Sequence, residues 1–405
     1  MTVVVTGVGT VGAFGAGRSA LAAALAAGEP RLSIVDRSAG YHRPRSARTA
    51  LLLGDLDLSP WLPGAAARRM SAPSRMAVAA ARLAEADANL PTAAPAETAV
   101  FLATSFGATA FTERLLTTIF QGTPVAASPA LFSESVASAA ASQVAIDRRA
   151  LGPSLTITQR EAGPLLALGE GVRWVARASG RRALVGACEE MTPLLHAILD
   201  RFHALARPEE DGQERARPFD RDRQGFLAAE GATVLVVERE AEARSRGARI
   251  VCRVSSAWSA FDPTASAVGW GEGGAQLGEA LRAGLARAGV APAEVDCILS
   301  GASGSRRGDR LEADTLRAAW QDRELPPILA PKAVTGEYSG GFLAAAALLG
   351  GGAATLVHRA FARVDPELGI QPREPDGLPP PRRALVTSLA AGGAAAWALL
   401  ESGED

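Results

Sequence analysis

Short β-branched segments alternate with alanine- and leucine-rich segments along most of the chain, and this alternation limits it to an α/β fold. Strands are predicted at residues 98–103, 183–185, 233–237, 295–299 and 383–388. Helices are predicted at residues 75–88, 163–178, 277–288 and 311–320. Helices that alternate with apolar strands cover the faces of a sheet, so we expect the sheet to be largely buried.

The length of 405 residues suits either two domain-sized units or one duplicated α/β domain. An Arg- and Glu-rich turn at residues 239–247 separates an earlier α/β region from a later one that begins near Arg249. We therefore predict two halves of one fold, residues 1–248 and 249–405.

Charge and the few cysteines and histidines exclude several classes of protein. A formal net charge of −1 gives no general attraction to nucleic acid or to an anionic membrane surface. The three cysteines form no Cys-x-x-Cys pair, and the four histidines form no His-Glu-x-x-His motif. The sequence predicts no disulfide framework, no bound metal and no nucleic-acid partner.

The longest apolar segment, residues 342–357, is shorter than the roughly 18 residues that suggest a membrane-spanning helix. It contains three consecutive glycines, which favours a buried helix followed by a strand. The start of the chain has no basic region before its apolar residues, so no signal peptide is predicted. These features predict a soluble, cytoplasmic protein that does not enter a membrane.

A glycine motif follows the first predicted strand, at residues 3–6. The segment GVGTVG at residues 7–12 matches the Gly-x-Gly-x-x-Gly pattern, precedes a helix predicted at 17–27, and is followed by Asp36 after a second apolar run. This order is typical of a dinucleotide-binding turn, in which the acid binds a ribose. Glycines that merely permit a tight turn are the alternative. An NAD(P)-binding oxidoreductase is therefore a minor hypothesis, since no substrate-binding motif accompanies the pattern.

Other motifs favour a different family. The segment RPFDRDRQGF at residues 217–226, continued by EGA at 230–232, resembles a signature of the β-ketoacyl synthases. Further matches occur in the family's order along the chain, at 3–15, 68–70, Asp309 with Glu312, Lys332 with Thr335 and Gly336, and Ser388 with Gly392 and Gly393. The resemblance implies a thiolase fold, with five layers in the order α/β/α/β/α and two pseudo-duplicated halves.

The resemblance also implies where a catalytic site would lie. Active members use a cysteine as the acyl-carrying nucleophile, two histidines and a lysine. The cysteine position falls on Glu161, the histidine positions fall on Gly301 and Glu337, and Lys332 is retained as the only lysine of the chain. A carboxylate cannot carry a transferable thioester, so no catalytic residue and no cofactor are predicted.

This set of losses is similar to that of the chain length factor, a ketosynthase-like subunit of type II polyketide synthases. EAGP at residues 161–164 is close to that subunit's Gln-Ala-Gly-Gly segment, and TGEYSGG at 335–341 matches another of its stretches. The resemblance implies a heterodimer with an active ketosynthase subunit, elongating a polyketide or polyene chain carried by an acyl carrier protein. Glutamate in place of glutamine at residue 161 departs from the pattern.

A tunnel for the growing chain is implied between the two subunits of such a pair. The tunnel helix maps onto residues 107–116, where Thr109, Thr112 and Leu116 share one face by their i, i+3 and i+7 spacing. Small threonines predict a roomy tunnel, and an ordinary packed helix face is the alternative.

Two hypotheses concern the substituted site itself. A stand-alone acyltransferase or hydrolase that uses Glu161 is the main alternative function. We also expect Lys332 to pair with at least one of Glu161 and Glu337, because two carboxylates and an ammonium in a buried pocket are costly to keep unpaired. The alternative is that the glutamates contact solvent or an arginine such as Arg160.

Overall fold

The fold is described from a computed structural model, which covers residues 2–62, 64–90, 97–177, 180–321, 323–373 and 380–403. The strands are β1 Val3–Gly12, β2 Gly15–Ala16, β3 Ser33–Ile34, β4 Thr49–Ala50, β5 Thr98–Ala103, β6 Ser154–Ile157, β7 Arg182–Glu189, β8 Gly231–Arg239, β9 Cys252–Phe261, β10 Cys297–Ser300, β11 Ile328–Leu329, β12 Arg383–Leu389 and β13 Ala394–Ser402. The helices are α1 Arg18–Ala27, α2 Ala72–Asp87, α3 Thr109–Gln121, α4 Pro129–Ser135, α5 Ala139–Arg148, α6 Gly163–Ala176, α7 Pro193–Arg201, α8 Glu240–Ser245, α9 Gly274–Arg287, α10 Arg306–Trp320, α11 Lys332–Thr335 and α12 Gly341–Gly350.

One pattern of strand pairing occurs twice. In the order β1-β8-β7-β5-β6, the first two pairings are antiparallel and the next two are parallel. The order β9-β13-β12-β10-β11 repeats this sequence of two antiparallel and two parallel pairings. A short antiparallel pairing of β1 with β9 joins the two sets. The fold is thus pseudo-duplicated, and the domain division after residue 248 stays a prediction.

Helices cover the strands on both sides and also lie between the two sets. The central helices α6 and α12 contact strands of both sets and belong to one apolar cluster with them. On the outer face of the first set α2 packs against β1 and β8, and α5 packs against β5. On the outer face of the second set lie α9 and α10. These layers follow the α/β/α/β/α order of the thiolase fold, as predicted.

The glycine motif near the start of the chain does not form the predicted turn. Strand β1 continues through Gly12, because residues 7–12 pair with β8. A Cβ atom on Gly9 would lie 1.9 Å from the Ala80 carbonyl oxygen, and one on Gly7 would lie 2.1 Å from that of Ala84. The glycines therefore allow α2 to pack closely on the strand. The turn predicted after residue 6 is therefore wrong, and the minor oxidoreductase hypothesis loses the feature on which it rested.

Helix boundaries differ from the predictions where a cap decides them. Helix α10 begins at Arg306, five residues before the predicted start, because the Ser305 hydroxyl accepts a hydrogen bond from the Gly308 amide. Helix α6 ends at Ala176, and the predicted end at residue 178 lies outside the described residues.

The apolar segment from residue 342 is helical only through Gly350, and no strand follows at 353–357, contrary to the prediction. The Val357 amide donates instead to the Leu25 carbonyl oxygen at the end of α1. Within the described residues, no helix combines the length and apolar character that crossing a membrane requires.

Candidate functional site

Glu161 lies at the entrance to the central layer, in a short turn that leads from β6 into α6. Its side chain is 6% exposed. One carboxylate oxygen accepts a hydrogen bond from the Tyr338 hydroxyl at 3.0 Å, and the other accepts from the Ala391 amide at 3.2 Å. Its carbonyl oxygen accepts from the Ser388 hydroxyl at 2.6 Å. The side chain is therefore fixed from two later segments of the chain.

Burial raises the pKa of the Glu161 carboxyl from 4.5 to about 7. The negative charge of Glu337 contributes to this increase in the pKa, whereas the nearby Lys332 ammonium opposes it. Near neutral pH the carboxyl can therefore hold or release a proton, which is unusual for a glutamate.

Lys332 and Glu337 form an ion pair at the two ends of the segment that contains α11. The Lys332 ammonium lies 2.7 Å and 2.9 Å from the two carboxylate oxygens of Glu337, and each residue is 2% exposed. The ammonium also lies 5.0 Å from the centre of the Phe342 ring. The expected pairing of the lysine with a glutamate is therefore present, and it involves Glu337 rather than Glu161.

Gly301 follows the end of β10, and the structure leaves no volume for a side chain there. A Cβ atom would lie 2.7 Å from the Thr387 carbonyl oxygen and 3.0 Å from Cα of Ser388 on the neighbouring strand. The position predicted to replace a catalytic histidine thus lacks both an imidazole and the space for one.

Two cavities meet at this site. The outer cavity has a volume of about 410 Å³ and is lined by exposed side chains such as Phe202 and Arg307 as well as by buried ones. The inner chamber has about 20 Å³, which is room for about one water molecule, and is lined by Lys332 and Glu337. Three residues contribute to the lining of both cavities, namely Arg160, Glu161 and Tyr338.

Tyr338 is the aromatic member of the three residues that line both cavities. Its ring meets the rings of Phe106 and Phe226 edge to face, with centroids 5.1 Å and 5.5 Å away. Burial raises the pKa of the Tyr338 hydroxyl well above its usual value, and the Glu161 charge acts in the same direction. The phenol therefore stays protonated and donates its hydrogen bond to Glu161.

Several buried carboxylates around the site hold backbone amides rather than a ligand. Glu189, at the end of β7, accepts from the Ser105 and Phe106 amides, and burial raises its pKa to about 8. Asp309 accepts from the amides of Phe219, Ser303 and Gly304. Sequence reasoning singled out Asp309 by its motif but missed Glu189. The acidic pair at 189–190 directly after an apolar strand was the available signal.

The residues predicted to line a tunnel lie on α3, but they do not line either cavity. The Thr109 hydroxyl donates to Glu190 at 3.1 Å, and the Thr112 hydroxyl donates to the Ala108 carbonyl oxygen at 2.9 Å. The Leu116 side chain is 43% exposed. The hydroxyls of Thr109 and Thr112 are therefore hydrogen-bonded within this chain, whereas the Leu116 side chain is exposed to solvent.

The three cysteines lie in the core and are not suited to act as nucleophiles. All three are buried, and none lines the outer cavity or the inner chamber as described. Burial raises the pKa of the Cys252 and Cys297 thiols to about 12 and that of Cys188 higher still. None is available as a thiolate near neutral pH.

Comparison with known proteins agrees with this architecture. Residues 1–243 match the family model "Beta-ketoacyl synthase, N-terminal domain", and residues 252–356 match "Beta-ketoacyl synthase, C-terminal domain". The chain is 29% identical to the tetracenomycin polyketide synthase ketoacyl synthase alpha subunit of Streptomyces glaucescens over 357 residues, 84% of this chain and 81% of that one. It is 30% identical to the beta subunit from the same organism over 346 residues, 84% of this chain and 82% of that one.

Among solved structures, the ishigamide ketosynthase/chain length factor superposes with a TM-score of 0.87 at 25% identity, covering 99% of both chains. The sequence is thus similar to both kinds of subunit. The residues of the substituted site must therefore decide which kind of subunit this chain is.

Proposed function

The chain belongs to the β-ketoacyl synthase family, and we propose that it is a non-catalytic member, the chain length factor of a cytoplasmic type II polyketide synthase. In this role it pairs with an active ketosynthase subunit that elongates an acyl chain attached to an acyl carrier protein. The observation that carries the proposal is the content of its site. Glu161, Gly301 and the Lys332–Glu337 ion pair occupy the positions where condensation needs a thiol and two imidazoles.

Condensation requires a nucleophile that accepts an acyl group and then releases it to a carbanion. Glu161 is a poor candidate because both of its carboxylate oxygens already accept hydrogen bonds, from Tyr338 and from the Ala391 amide. The second histidine position carries a carboxylate bound to Lys332. No described side chain at the site can therefore replace the missing groups.

A stand-alone hydrolase or acyltransferase is the second candidate function. The raised pKa of Glu161 and its place at the floor of the outer cavity favour it, since a carboxyl that titrates near pH 7 suits general acid–base catalysis. This candidate predicts turnover of an acyl thioester by the isolated chain, and that turnover is lost in Glu161→Gln.

An exposed apolar surface supports the pairing with a second subunit. Helix α3 contacts α4, α4 contacts α5, and α5 contacts the strand β6. Large apolar side chains are exposed on these elements and on the turn between α3 and α4, namely Leu116, Phe120, Val125, Phe132, Ile146 and Leu155. Strand β6 is paired only with β5 among the described strands, so it is an edge with free backbone groups. Exposed apolar surface of this kind indicates a site of protein association.

The tunnel proposal depends on the same surface. Thr109, Thr112 and Leu116 lie on α3, at the side of the chain where this surface begins. A partner placed against α3 would cover the exposed Leu116 and complete a wall that the isolated chain lacks. We propose that this helix limits the space available to the growing acyl chain.

The proposal is tested by expressing the chain alone, with an active ketosynthase subunit from the same genome, and with that subunit lacking its nucleophilic cysteine. Gel filtration is expected to show a stable heterodimer in both mixtures. Condensation of malonyl units on a carrier protein should require both chains and should vanish with the partner's cysteine. The variant Glu161→Gln in this chain should leave condensation in place. Turnover by this chain alone would refute the proposal in favour of the second candidate.

A further inference from the structure

Tyr338 separates the outer cavity from the inner chamber. The outer cavity ends on Tyr338, Glu161 and Arg160, and the inner chamber begins on the same three side chains. The Tyr338 hydroxyl donates a hydrogen bond to the carboxylate of Glu161, so the phenol is held at the boundary between the two cavities. We expect that removing the phenol joins the two spaces.

The backbone of Tyr338 is held in a conformation that its side chain does not favour. Its φ angle is +82°, in the left-handed region where the backbone of a residue with a Cβ atom is strained. Such strain persists only where several contacts hold a residue in place. Here the contacts are the edges of Phe106 and Phe226 and the hydrogen bond to Glu161.

We propose that Tyr338 is a specificity-determining residue, because its side chain is the barrier that keeps acyl thioesters out of this subunit's chamber. An acyl chain or thioester entering the outer cavity meets the phenol before it can approach Lys332 and Glu337. The chamber behind the phenol has room for about one water molecule, far less than an acyl group needs. A growing chain is therefore confined to the partner subunit's site.

This inference rests on the proposed function for the identity of the excluded molecule. The closure itself is a property of this chain alone, so it can be measured without a partner. Failure of the heterodimer to form or to condense malonyl units would refute the proposed function and leave a measured closure standing.

The single lysine of the chain provides the measurement. Besides the amino terminus, Lys332 carries the only primary amine in the sequence, and it lies inside the chamber. Cyanate is a small linear reagent that carbamylates amines, and digestion with mass spectrometry reports the extent at residue 332. The rate is compared among the unsubstituted chain, Tyr338→Gly, and the matched control Tyr338→Phe. Glycine suits the positive φ angle, so this variant removes the ring without adding strain.

Carbamylation of Lys332 should be slow in the unsubstituted chain and faster by about tenfold or more in Tyr338→Gly, because access no longer requires local opening. Tyr338→Phe keeps the ring and should remain close to the unsubstituted chain. The ion pair with Glu337 also slows the reaction of the amine with cyanate, so the comparison is repeated in a Glu337→Gln background. Protein unfolded in guanidinium chloride, which releases no cyanate, and labelled at the same pH gives the upper limit.

Equal rates for Tyr338→Gly and its parent in both backgrounds would overturn the proposal. A rate in the unsubstituted folded chain equal to that of the unfolded chain would overturn it as well. Should Tyr338→Gly fail to fold, as shown by circular dichroism, Phe106→Ala replaces it, because it removes one of the two rings that hold the phenol. The same comparison of rates then decides.

Discussion

Loss of the Lys332 ammonium should be among the most destabilising single changes at this site. In Lys332→Met the Glu337 carboxylate keeps its position, 2% exposed, but loses the partner whose nitrogen lies 2.7 Å from one oxygen and 2.9 Å from the other. Removing one partner of a buried ion pair costs about 3–5 kcal/mol, because the remaining charge is left uncompensated. Methionine fills nearly the same volume, so little of this loss comes from packing.

The magnitude converts into a melting temperature that can be measured. An unfolding entropy of about 2.1 cal/mol/K per residue gives roughly 0.85 kcal/mol per degree for 405 residues. If the chain unfolds as one unit, Lys332→Met should lower the melting temperature by about 4–6 °C. Differential scanning calorimetry at constant pH and scan rate measures the shift.

Two further variants make the result decisive. Arg310→Met removes an exposed ion pair with Glu367, worth about 0–1 kcal/mol, and should lower the melting temperature by about 1 °C or less. The double variant Lys332→Met with Glu337→Met replaces the buried pair by apolar side chains and should recover most of the loss. An unchanged melting temperature in Lys332→Met would refute the idea that the buried ion pair stabilises the folded chain.

Three other predictions concern different parts of the molecule. Gly9→Ala should destabilise the fold by about 3 kcal/mol or more, because the new Cβ atom would meet the Ala80 carbonyl oxygen. The control Gly169→Ala, inside α6, should be neutral or stabilising by about 1 kcal/mol. Equal melting temperatures of the two variants would contradict the close packing of β1 on α2. Burial raises the pKa of Glu161 from 4.5 to about 7. At a pH between these two values the folded chain therefore keeps the proton on this carboxyl, whereas the unfolded chain has released it. The resulting stabilisation is complete below pH 4.5 and is lost as the pH rises through 7. Glu161→Gln should therefore flatten the decline in melting temperature over this pH range. An identical decline in both proteins would count against the raised pKa. Thr109→Phe should shorten the products of the heterodimer without dissociating it, and Thr109→Ser serves as the control. Product length is measured by mass spectrometry, and products of unchanged length would reject the tunnel proposal.

The layered α/β architecture could be predicted from sequence because periodicity and motif order both express it. The strand at Thr98–Ala103 was located to the residue, since buried parallel strands are continuous apolar runs bounded by polar residues. The start of α10 was misplaced because its first turn is charged, and the cap at Ser305 rather than apolar spacing decides where the helix begins.

The glycine motif was misread for a reason that local sequence cannot remove. Glycines 7 and 9 satisfy the spacing of a turn, yet β1 remains extended because β8, more than two hundred residues later, pairs with it. Tertiary pairing therefore overrides a local preference. Which residues face α2 is likewise set by the packing of the helix on the strand.

At the site, sequence could name Glu161, Glu337 and Lys332 as substitutes for catalytic residues, and it could expect a buried pairing. It could not choose which glutamate pairs, because that depends on the turn that aims Glu337 at the ammonium while Glu161 bonds to Tyr338. The barrier formed by Tyr338 was missed for the same reason. Its effect depends on two aromatic rings from distant segments, Phe106 and Phe226.

The position of β1 also has a consequence for synthesis of the chain. The ribosome makes this strand long before its neighbours β8 and β9, which begin at residues 231 and 252. At about 5–20 residues per second, the ribosome needs about 12–50 s to deliver these partners. During that interval residues 3–5 of the nascent polypeptide, three valines, lack the two strands with which they pair and are exposed to aggregation. Recombinant yield should therefore depend on chaperones that shield the amino-terminal segment until the second half of the polypeptide emerges.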